Sequence, residues 1–400
     1  MKSFKDSRFI TFGLMLLLKP GCISGMQILS PLDSACNIAR VLLFIYIAGA
    51  IVKGGEKIKT DRVFRVFMLL AAYSLWEIMA TIINGRTVHD WGVVLNGIGI
   101  TVFACAAVRT DMDSFIKGAS RLLWWYVTVN TITVILFPRG MYATARYSRN
   151  YFLSYRTSWF VIYLLAAFFM LLQCEKSDRK EDRWKLTALA VFEMFSMWKV
   201  WTATGLFSLG LAGAFLAVWT RIGAYGMRAG TSLLLEAGVF YGIVIKRLQG
   251  HLSYLLVNIM GKDLTLTYRT RIWDSAIDYI KKHMLTGLGR LDPASARAVL
   301  GYGASHPHCR YLHVMMTTGA VGMFLYILMI LTAFKRDMHS GLTRQQSRIL
   351  SAALLAMLTA GQVESFSATG TYLYLLFIAA AELGSRKRLL EKEKERWPEG

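Results

Sequence analysis

The residues best suited to chemistry lie in one run in the last quarter of this 400-residue chain. The run combines three histidines with one arginine and reads His306-Pro307-His308-Cys309-Arg310-Tyr311-Leu312-His313. A neutral imidazole takes up a proton near pH 7, so these histidines could serve in proton transfer. His308, Tyr311 and Leu312 would share one face of a helix. The alternative is a histidine at a membrane interface with no chemical role.

A metal site at this run would need ligands besides His308. His306 and His308 are two residues apart, a poor spacing for two ligands on one helix. The five cysteines show no CxxC or Cys/His zinc spacing, and they are Cys22, Cys36, Cys105, Cys174 and Cys309. We therefore predict no structural metal and no disulfide framework.

Positive charge accompanies the histidine run. Two stretches, 138–157 and 248–311, are rich in arginine and lysine, namely Arg139, Arg146, Arg149, Arg156, Lys262, Arg269, Arg271, Lys281, Lys282, Arg290, Arg297 and Arg310. Arginine binds phosphate through a planar bidentate fork and stays charged. A site for an anionic ligand is therefore one interpretation, and a solvated surface facing lipid headgroups is the other.

The second stretch also contains a helical pattern. Trp273, Ala276, Ile277 and Ile280 are spaced as one apolar helix face. We predict an amphipathic helix of about 14 residues that begins at Arg269 or Thr270 and ends near His283, too short to span a membrane. It should lie on the outer membrane surface with its apolar face down, and its N-terminus is an expected anion site. Gly287 and Gly289 then supply a turn.

The elements that position these residues are membrane spans. The chain is 55% apolar, and its apolar runs recur at close to the about 20 residues that a spanning helix needs. We predict an all-α, polytopic protein of about twelve spans, a single membrane domain over 1–400, with a partly helical extracytoplasmic loop cap. The spans are 9–29, 35–53, 64–84, 90–108, 119–137, 158–174, 185–201, 203–220, 229–247, 312–334, 347–363 and 369–385. Lys19-Pro20-Gly21 interrupts the first of these spans and is expected to kink it.

The net charge is +21, and the placement of the positive residues predicts which side of the membrane each connection faces. Lysine and arginine collect in alternate connections: the N-terminus, 53–65, 109–121, 176–185, 221–228, 335–348 and 386–396. By the positive-inside rule these are cytoplasmic, as are both termini, and the basic start is predicted to be a retained signal anchor. The stretch 138–157 is then the first extracytoplasmic loop, and 248–311 is a large extracytoplasmic loop with the amphipathic helix. Because the charges flank spans, no nucleic-acid partner is predicted.

Short stretches resemble the motifs of a known family. They are Thr267-Tyr268-Arg269-Thr270-Arg271-Ile272-Trp273 with Gly287-Leu288-Gly289, His308 with Gly319 and Gly322, Phe152-Leu153-Ser154-Tyr155-Arg156-Thr157, and Thr202-Ala203-Thr204-Gly205-Leu206. In type, spacing and order they resemble the O-antigen ligases and polysaccharide repeat-unit polymerases of bacterial envelopes. The chain departs from the family pattern at Tyr268, where the family has Gly, at Thr157 (Asn), and at Cys309 (Asn, Ser or Gln).

The resemblance implies a metal-independent glycosyltransferase in the bacterial cytoplasmic (inner) membrane. Its donor would be a glycan on polyprenyl pyrophosphate, and its acceptor a hydroxyl on the next lipid-linked repeat unit. His308 would be the catalytic base. Arg269, also catalytic, and Arg156 would stabilise the leaving pyrophosphate, with Arg271 and Arg310 in support, and no cofactor would be required. The secondary candidates are Trp273, Tyr311, Gly287 and Gly289.

The leading prediction is therefore polymerisation of repeat units into capsular polysaccharide, exopolysaccharide or O-antigen. Its partners would be the lipid-linked oligosaccharide, membrane lipids, a flippase and a chain-length regulator. One alternative is a ligase that moves finished glycan to a lipid or protein acceptor. Another is a flippase or transporter, for which the intramembrane acids Glu77, Glu193 and Glu236 would be the functional groups. Otherwise we expect these acids to be buried and either paired or protonated.

Overall fold

Helices form at the apolar runs in the computed structural model of the chain. The structure describes residues 2–54, 60–87, 91–144, 147–177, 179–248, 268–336, 341–366 and 370–385. Arg146, Lys262, Thr267 and the basic run 386–396 lie outside these ranges. Within them the backbone is helical, apart from turns, irregular segments and two isolated β-bridges in the predicted first loop.

Fourteen α-helices are described. They are α1 (Ser7–Leu17), α2 (Gly21–Gly25), α3 (Ser30–Gly54), α4 (Arg62–Ile83), α5 (Trp91–Leu136), α6 (Phe160–Lys176), α7 (Lys180–Lys199), α8 (Ala203–Arg221), α9 (Ala229–Phe240), α10 (Arg269–Lys282), α11 (Pro293–Leu300), α12 (Arg310–Ala333), α13 (Arg344–Val363) and α14 (Leu373–Ser385). A π-helical turn, Tyr241–Ile245, extends α9. The all-helical fold class is thus confirmed for the described residues.

Five helical segments are long and apolar enough to cross a membrane. They are Gln27–Ala50, Arg62–Ile83, Trp91–Leu136, Ala203–Arg221 and Arg310–Ala333, with shorter apolar helices at Ala229–Ile245 and Gly370–Ser385. Helices coincide with the other predicted spans, but these are shorter or carry more charge. The count of about twelve spans stays a prediction.

The predicted span 9–29 is interrupted around Lys19-Pro20-Gly21, where the sequence predicted a kink. Its first half, α1, ends at Leu17, and the chain turns through Lys19 and Pro20 before α2 begins at Gly21. Proline lacks the N–H that would continue the helix. The N–H groups of Gly21 and Cys22 donate instead to the carbonyls of Leu153 (2.7 Å) and Phe152 (3.1 Å), so the break anchors a segment of the predicted first loop.

The predicted basic connection 109–121 is not a loop. Helix α5 runs through it with one non-helical residue, Asp111 (φ −160°, ψ 102°). The Asp111 carboxylate accepts hydrogen bonds from the Asp113 N–H (3.0 Å) and the Ser114 hydroxyl (2.8 Å). Asp111 therefore caps the second half of α5 and separates two helical segments, where the sequence predicted two spans.

The predicted cytoplasmic segments gather at one end of the bundle. Arg62 donates to the Lys335 carbonyl (2.6 Å), Arg109 pairs with Asp61 (2.7 Å), and Ser114 donates to the Lys5 carbonyl (2.8 Å). Further contacts at this end join Lys176 to Asp113, Glu175 to Thr343, and Arg336 to Tyr225. The start of α1 and the end of α14 both lie at this end, since Gly384 packs on Arg62.

Helix α12 is broken at Gly319, where the backbone adopts φ 61° and ψ −161°. The carbonyls of Met316 and Thr317 accept from the N–H groups of Leu288 (2.7 Å) and Gly289 (3.0 Å). On the other side of the break, the Ala320 N–H donates to the Met284 carbonyl (2.8 Å). The Gly287-x-Gly289 turn thus satisfies backbone groups that a broken helix would leave unpaired inside the protein.

Replacing Gly319 with alanine is expected to destabilise the protein by about 1–3 kcal/mol, because this φ/ψ region is open essentially to glycine alone. A Cβ here would also overlap the Leu285 carbonyl. Thermal unfolding of the purified protein in detergent measures the effect. Gly210→Ala on α8 is the matched control, since nothing lies within 4 Å of its Cβ position. Equal melting temperatures for the two variants would show that the break tolerates a side chain.

Candidate functional site

Helix α10 forms where the sequence predicted it and has the predicted length of 14 residues. Its apolar face does not lie on the membrane surface. Ile272, Trp273 and Ala276 are buried against α11, α12 and the π-helical turn after α9, together with Leu300 and Leu312. The expected membrane-facing orientation is therefore wrong, because the start of α12 offers the apolar partner.

Trp273 ties α10 to the histidine run. Its side chain is fully buried, and its Nε1 donates to the Pro307 carbonyl (2.9 Å). The Arg247 guanidinium lies 5.3 Å from the Trp273 ring centroid on the other side. Trp273 is thus a packing residue between Arg269 and His308 and offers no free face for stacking on a sugar.

His308 has an unusual backbone. Its φ is 50°, in the left-handed region that few residues other than glycine adopt. The His308 N–H donates to Nδ1 of His306 (3.3 Å), and the two rings lie 4.1 Å apart between centroids. Such strain is kept only where the surroundings impose it. The turn directs His308 into the cavity described below, just before α12 begins at Arg310.

Cys309 is the N-cap residue of α12 and is fully buried. Burial raises the pKa of its thiol to about 12, so the sulfur stays protonated near neutral pH. A neutral buried thiol is a poor nucleophile. Cys309 therefore occupies the position of the family's Asn, Ser or Gln as a small uncharged residue.

Replacing Cys309 with serine is expected to leave glycan products unchanged, because an uncharged residue of similar size keeps the cap position. Polymer length in cells that carry the variant measures this. Loss of polymer by a variant present at the wild-type level in the membrane would instead assign a chemical role to the thiol.

Arg156 is fixed by three other parts of the chain. Besides the α2 contacts at Phe152 and Leu153, the Leu153 N–H donates to the Asn130 side chain (3.1 Å). The Arg156 carbonyl accepts from the Thr202 hydroxyl (3.0 Å), just before α8. Two of the sequence motifs, 152–157 and 202–206, therefore meet here.

One large cavity brings the separate motifs together. It has a volume of about 1610 Å³, and its lining includes Arg156, Arg269, His308 and Arg310. These residues come from the segment before α6, the start of α10 and the start of α12. The sequence predicted that they act together, and the fold gives them a common space.

The cavity has a polar end and an apolar wall. The polar end adds Arg290, Arg297, His306 and His313, to which the sequence assigned no individual role, and Glu364, which the sequence did not indicate. The apolar wall consists of α8 and α9 residues, among them Leu211, Phe215, Trp219, Leu235 and Val239. Such a space can hold a molecule with a charged group and a long apolar chain.

Arg269 faces Glu364 inside the protein. Burial lowers the pKa of the Arg269 guanidinium, and the Glu364 carboxylate opposes that shift. Burial likewise raises the pKa of Glu364, which the positive charge of Arg269 counteracts. Glu364 directly follows α13. The sequence signal that could have identified Glu364 is its position as an acidic residue beside the connection between α13 and α14, which is poor in lysine and arginine.

Arg310 is held among tyrosines. Its guanidinium carbon lies 5.1 Å from the Tyr326 ring centroid, and its Nη1 donates to the Ser365 carbonyl (3.4 Å). It therefore also orients the segment that carries Glu364. Arg156 differs, because it lines the cavity and its buried Nε has no hydrogen-bond partner among the described residues.

Several predicted site residues do not line the cavity. Arg271 is exposed and stacks on Tyr302 at 5.7 Å, because two residues along a helix turn a side chain by about 200° from Arg269. Tyr311 donates to the Leu358 carbonyl (3.0 Å). Gly287 and Gly289 serve the α12 break.

The three intramembrane acids differ in their surroundings. Glu236 lines the cavity and accepts hydrogen bonds from Thr359 (2.6 Å) and Gln362 (2.9 Å). It is buried and paired, as expected. Glu77 is half-buried and also lines the cavity, whereas Glu193 is buried between helices away from it.

Comparison with known proteins agrees with these motifs. Residues 150–327 match the family model described as O-Antigen ligase, which spans Arg156, Arg269 and His308. The resemblance to the O-antigen ligase family is confirmed. The chain is also 23% identical over 318 residues to the exopolysaccharide production protein ExoQ of Rhizobium meliloti (strain 1021), which covers 66% of this chain and 70% of that protein. No solved structure matches the chain.

The chain is thus similar to O-antigen ligases over residues 150–327 and to an exopolysaccharide production protein over 318 residues, and it contains helices long and apolar enough to cross a membrane. The matched segment ends at residue 327 and leaves out Glu364. Glu364 thus comes to the site through the fold, from a helix beyond the matched segment.

Proposed function

We propose that this protein polymerises polyprenyl-pyrophosphate-linked oligosaccharide repeat units at the outer face of the cytoplasmic membrane. The observation that carries the proposal is the convergence of Arg156, Arg269 and His308 on one large cavity. The product would be an exopolysaccharide, capsular polysaccharide or O-antigen. The similarity to an exopolysaccharide production protein supports the first of these.

The donor pyrophosphate would bind between Arg156 and Arg269. Negative charge develops on this leaving group as its bond to the sugar breaks, and fixed positive charge there lowers the barrier. Arg156 has an Nε without a partner among the described residues, and the half-buried Arg269 lies near the Glu364 carboxylate. Arg290 and Arg310 add positive charge to the same space. The apolar wall of α8 and α9 suits the prenyl chain.

The acceptor hydroxyl would lie at His308. As its oxygen forms a bond to the anomeric carbon, the bond from that carbon to pyrophosphate breaks and the electron pair leaves with the phosphate oxygen. The hydroxyl proton passes to the neutral imidazole of His308. In this scheme arginine supplies the positive charge that a magnesium ion often supplies elsewhere, so neither metal nor cofactor is required.

The membrane orientation belongs to the same proposal. The predicted cytoplasmic segments meet at one end of the bundle. This grouping supports the topology predicted from the positive charges, in which connections lie alternately on the two sides of the membrane. Both termini are then cytoplasmic, and the loops 138–157 and 248–311 lie outside. A flippase that delivers substrate and a chain-length regulator are the expected partners.

Transfer by the purified protein from a synthetic prenyl-pyrophosphate glycan tests the proposal. The expected product is a ladder of longer prenyl-linked glycans, formed without added metal. Absence of any transfer would contradict an enzymatic role. If the protein is instead a flippase, a strain that lacks it retains substrate on the inner leaflet.

A ligase is the second candidate, because the matched family model is described as an O-antigen ligase. A ligase would transfer finished glycan to a lipid or protein acceptor. A strain that lacks the protein separates the two activities. Polymer that still forms but stays on its prenyl carrier indicates a ligase, whereas single repeat units indicate a polymerase.

A further inference from the structure

Three potential metal ligands meet in the cavity: His306, His308 and Glu364. One ligand atom from each lies within 4.8 Å of the others. The spacing of His306 and His308 was unsuited to a shared helix face, but both precede α12 in an irregular segment where their rings are adjacent. Glu364, which directly follows α13, adds the third donor from 56 positions further along the chain than His308.

We propose that this cluster is an inhibitory binding site for a divalent transition-metal ion, with Zn²⁺ as the reference ion. The inference rests on the proposed role of His308 as the base for the acceptor. Two imidazoles and one carboxylate favour zinc and its neighbours over magnesium or calcium, which prefer oxygen ligands. With three protein ligands, a tetrahedral ion would keep one position for water or substrate.

The required movement is small. Zinc binds imidazole nitrogen at about 2.0–2.1 Å, so two ligands of a tetrahedral ion are about 3.4 Å apart. Atoms now within 4.8 Å need to approach by at most about 1.4 Å. Rotation of the half-buried His308 and Glu364 side chains supplies such a shift without moving a helix.

Binding would block the proposed reaction in two ways. A metal on His308 occupies the lone pair that is needed to accept the hydroxyl proton. Binding of the same metal to His306 also breaks the hydrogen bond from the His308 N–H to His306 Nδ1. If His306 Nδ1 binds the metal, the lone pair that accepted this hydrogen bond is used. If His306 Nε2 binds the metal, the ring proton must sit on Nδ1, which can then no longer accept. The strained His308 turn then loses its support.

The surrounding charge keeps this from being a permanent metal site. Arg269 faces Glu364, and Arg310 lies two positions after His308 and lines the same cavity, so two guanidinium groups oppose a divalent cation. Zinc would therefore bind reversibly and compete with the arginines for Glu364. These features are those of an inhibitory site.

Calorimetric titration of the purified protein with zinc alone tests the site independently of activity. His306→Gln and Glu364→Gln are each expected to weaken zinc affinity by at least about tenfold. His283→Gln, at the end of α10 and outside the cluster, is the matched control and should bind zinc as the wild type does. Unchanged affinity in both cluster variants would overturn the site.

The inhibitory effect is measured in the transfer assay, as the ratio of the rates with and without zinc for each variant. Zinc should abolish wild-type transfer, EDTA should restore it, and His306→Gln should need more zinc for the same loss. Stimulation by zinc, loss of transfer in EDTA alone, or equal inhibition of His306→Gln and wild type would each overturn the inference. A protein that binds zinc but transfers nothing under any condition would refute the proposed function and leave the metal site standing.

Discussion

Replacing His308 with alanine is expected to reduce glycan transfer by about 10²–10⁴-fold, the usual contribution of a general base. His308 is the residue of the predicted run whose turn (φ 50°) carries an imidazole into the cavity beside Glu364. Without it, the attacking hydroxyl would have to lose its proton to water. The rate of transfer from a synthetic prenyl-pyrophosphate glycan measures the effect.

A second variant separates catalysis from folding. His308→Asn keeps a residue type that tolerates a left-handed backbone but cannot take up a proton near neutral pH. It should melt at the wild-type temperature and be as inactive as His308→Ala. His283→Ala is the control for a histidine outside the cavity. Activity near the wild-type level in His308→Asn would remove His308 from the base role.

Replacing Arg269 with alanine should lower kcat/KM for the donor by about 10²–10³-fold, as expected when one preorganised charge at a leaving group is lost. Arg269→Lys should also be impaired, because lysine lacks the planar fork that matches two phosphate oxygens. Arg271→Ala is a close control: the same residue type on the same helix, but exposed and stacked on Tyr302. Equal losses in the Arg269 and Arg271 variants would contradict the assignment.

The loss of activity in Arg269→Ala has a second possible cause, because the half-buried Glu364 carboxylate would lose the positive charge that faces it. The double variant Arg269→Ala/Glu364→Gln removes both charges. If Arg269 acts on the pyrophosphate, the double variant stays inactive. If Arg269 only neutralises Glu364, activity returns, and the pyrophosphate must then depend on Arg156 and Arg310.

Local patterns in the sequence were sufficient for much of this protein's secondary structure. Apolar runs predicted helices at the right places, and the spacing of Trp273, Ala276 and Ile280 fixed α10 with its length. These features depend on periodicity and on backbone groups that must pair within each helix, so neighbouring residues determine them. The residue types of the run at His308 were also enough to indicate proton transfer.

Only the tertiary structure decided which of these residues share a space. It separates Arg269 from Arg271, buries Trp273 instead of exposing it, and turns the apolar face of α10 onto α12. It also brings Glu364 to His308 from 56 positions further along the chain. Such contacts depend on how helices pack against one another, and on where the chain leaves the helix after α1 and within α12. No short window of sequence contains that information. The histidine run therefore indicated the chemistry by its residue types, whereas helix packing determined which side chains join it.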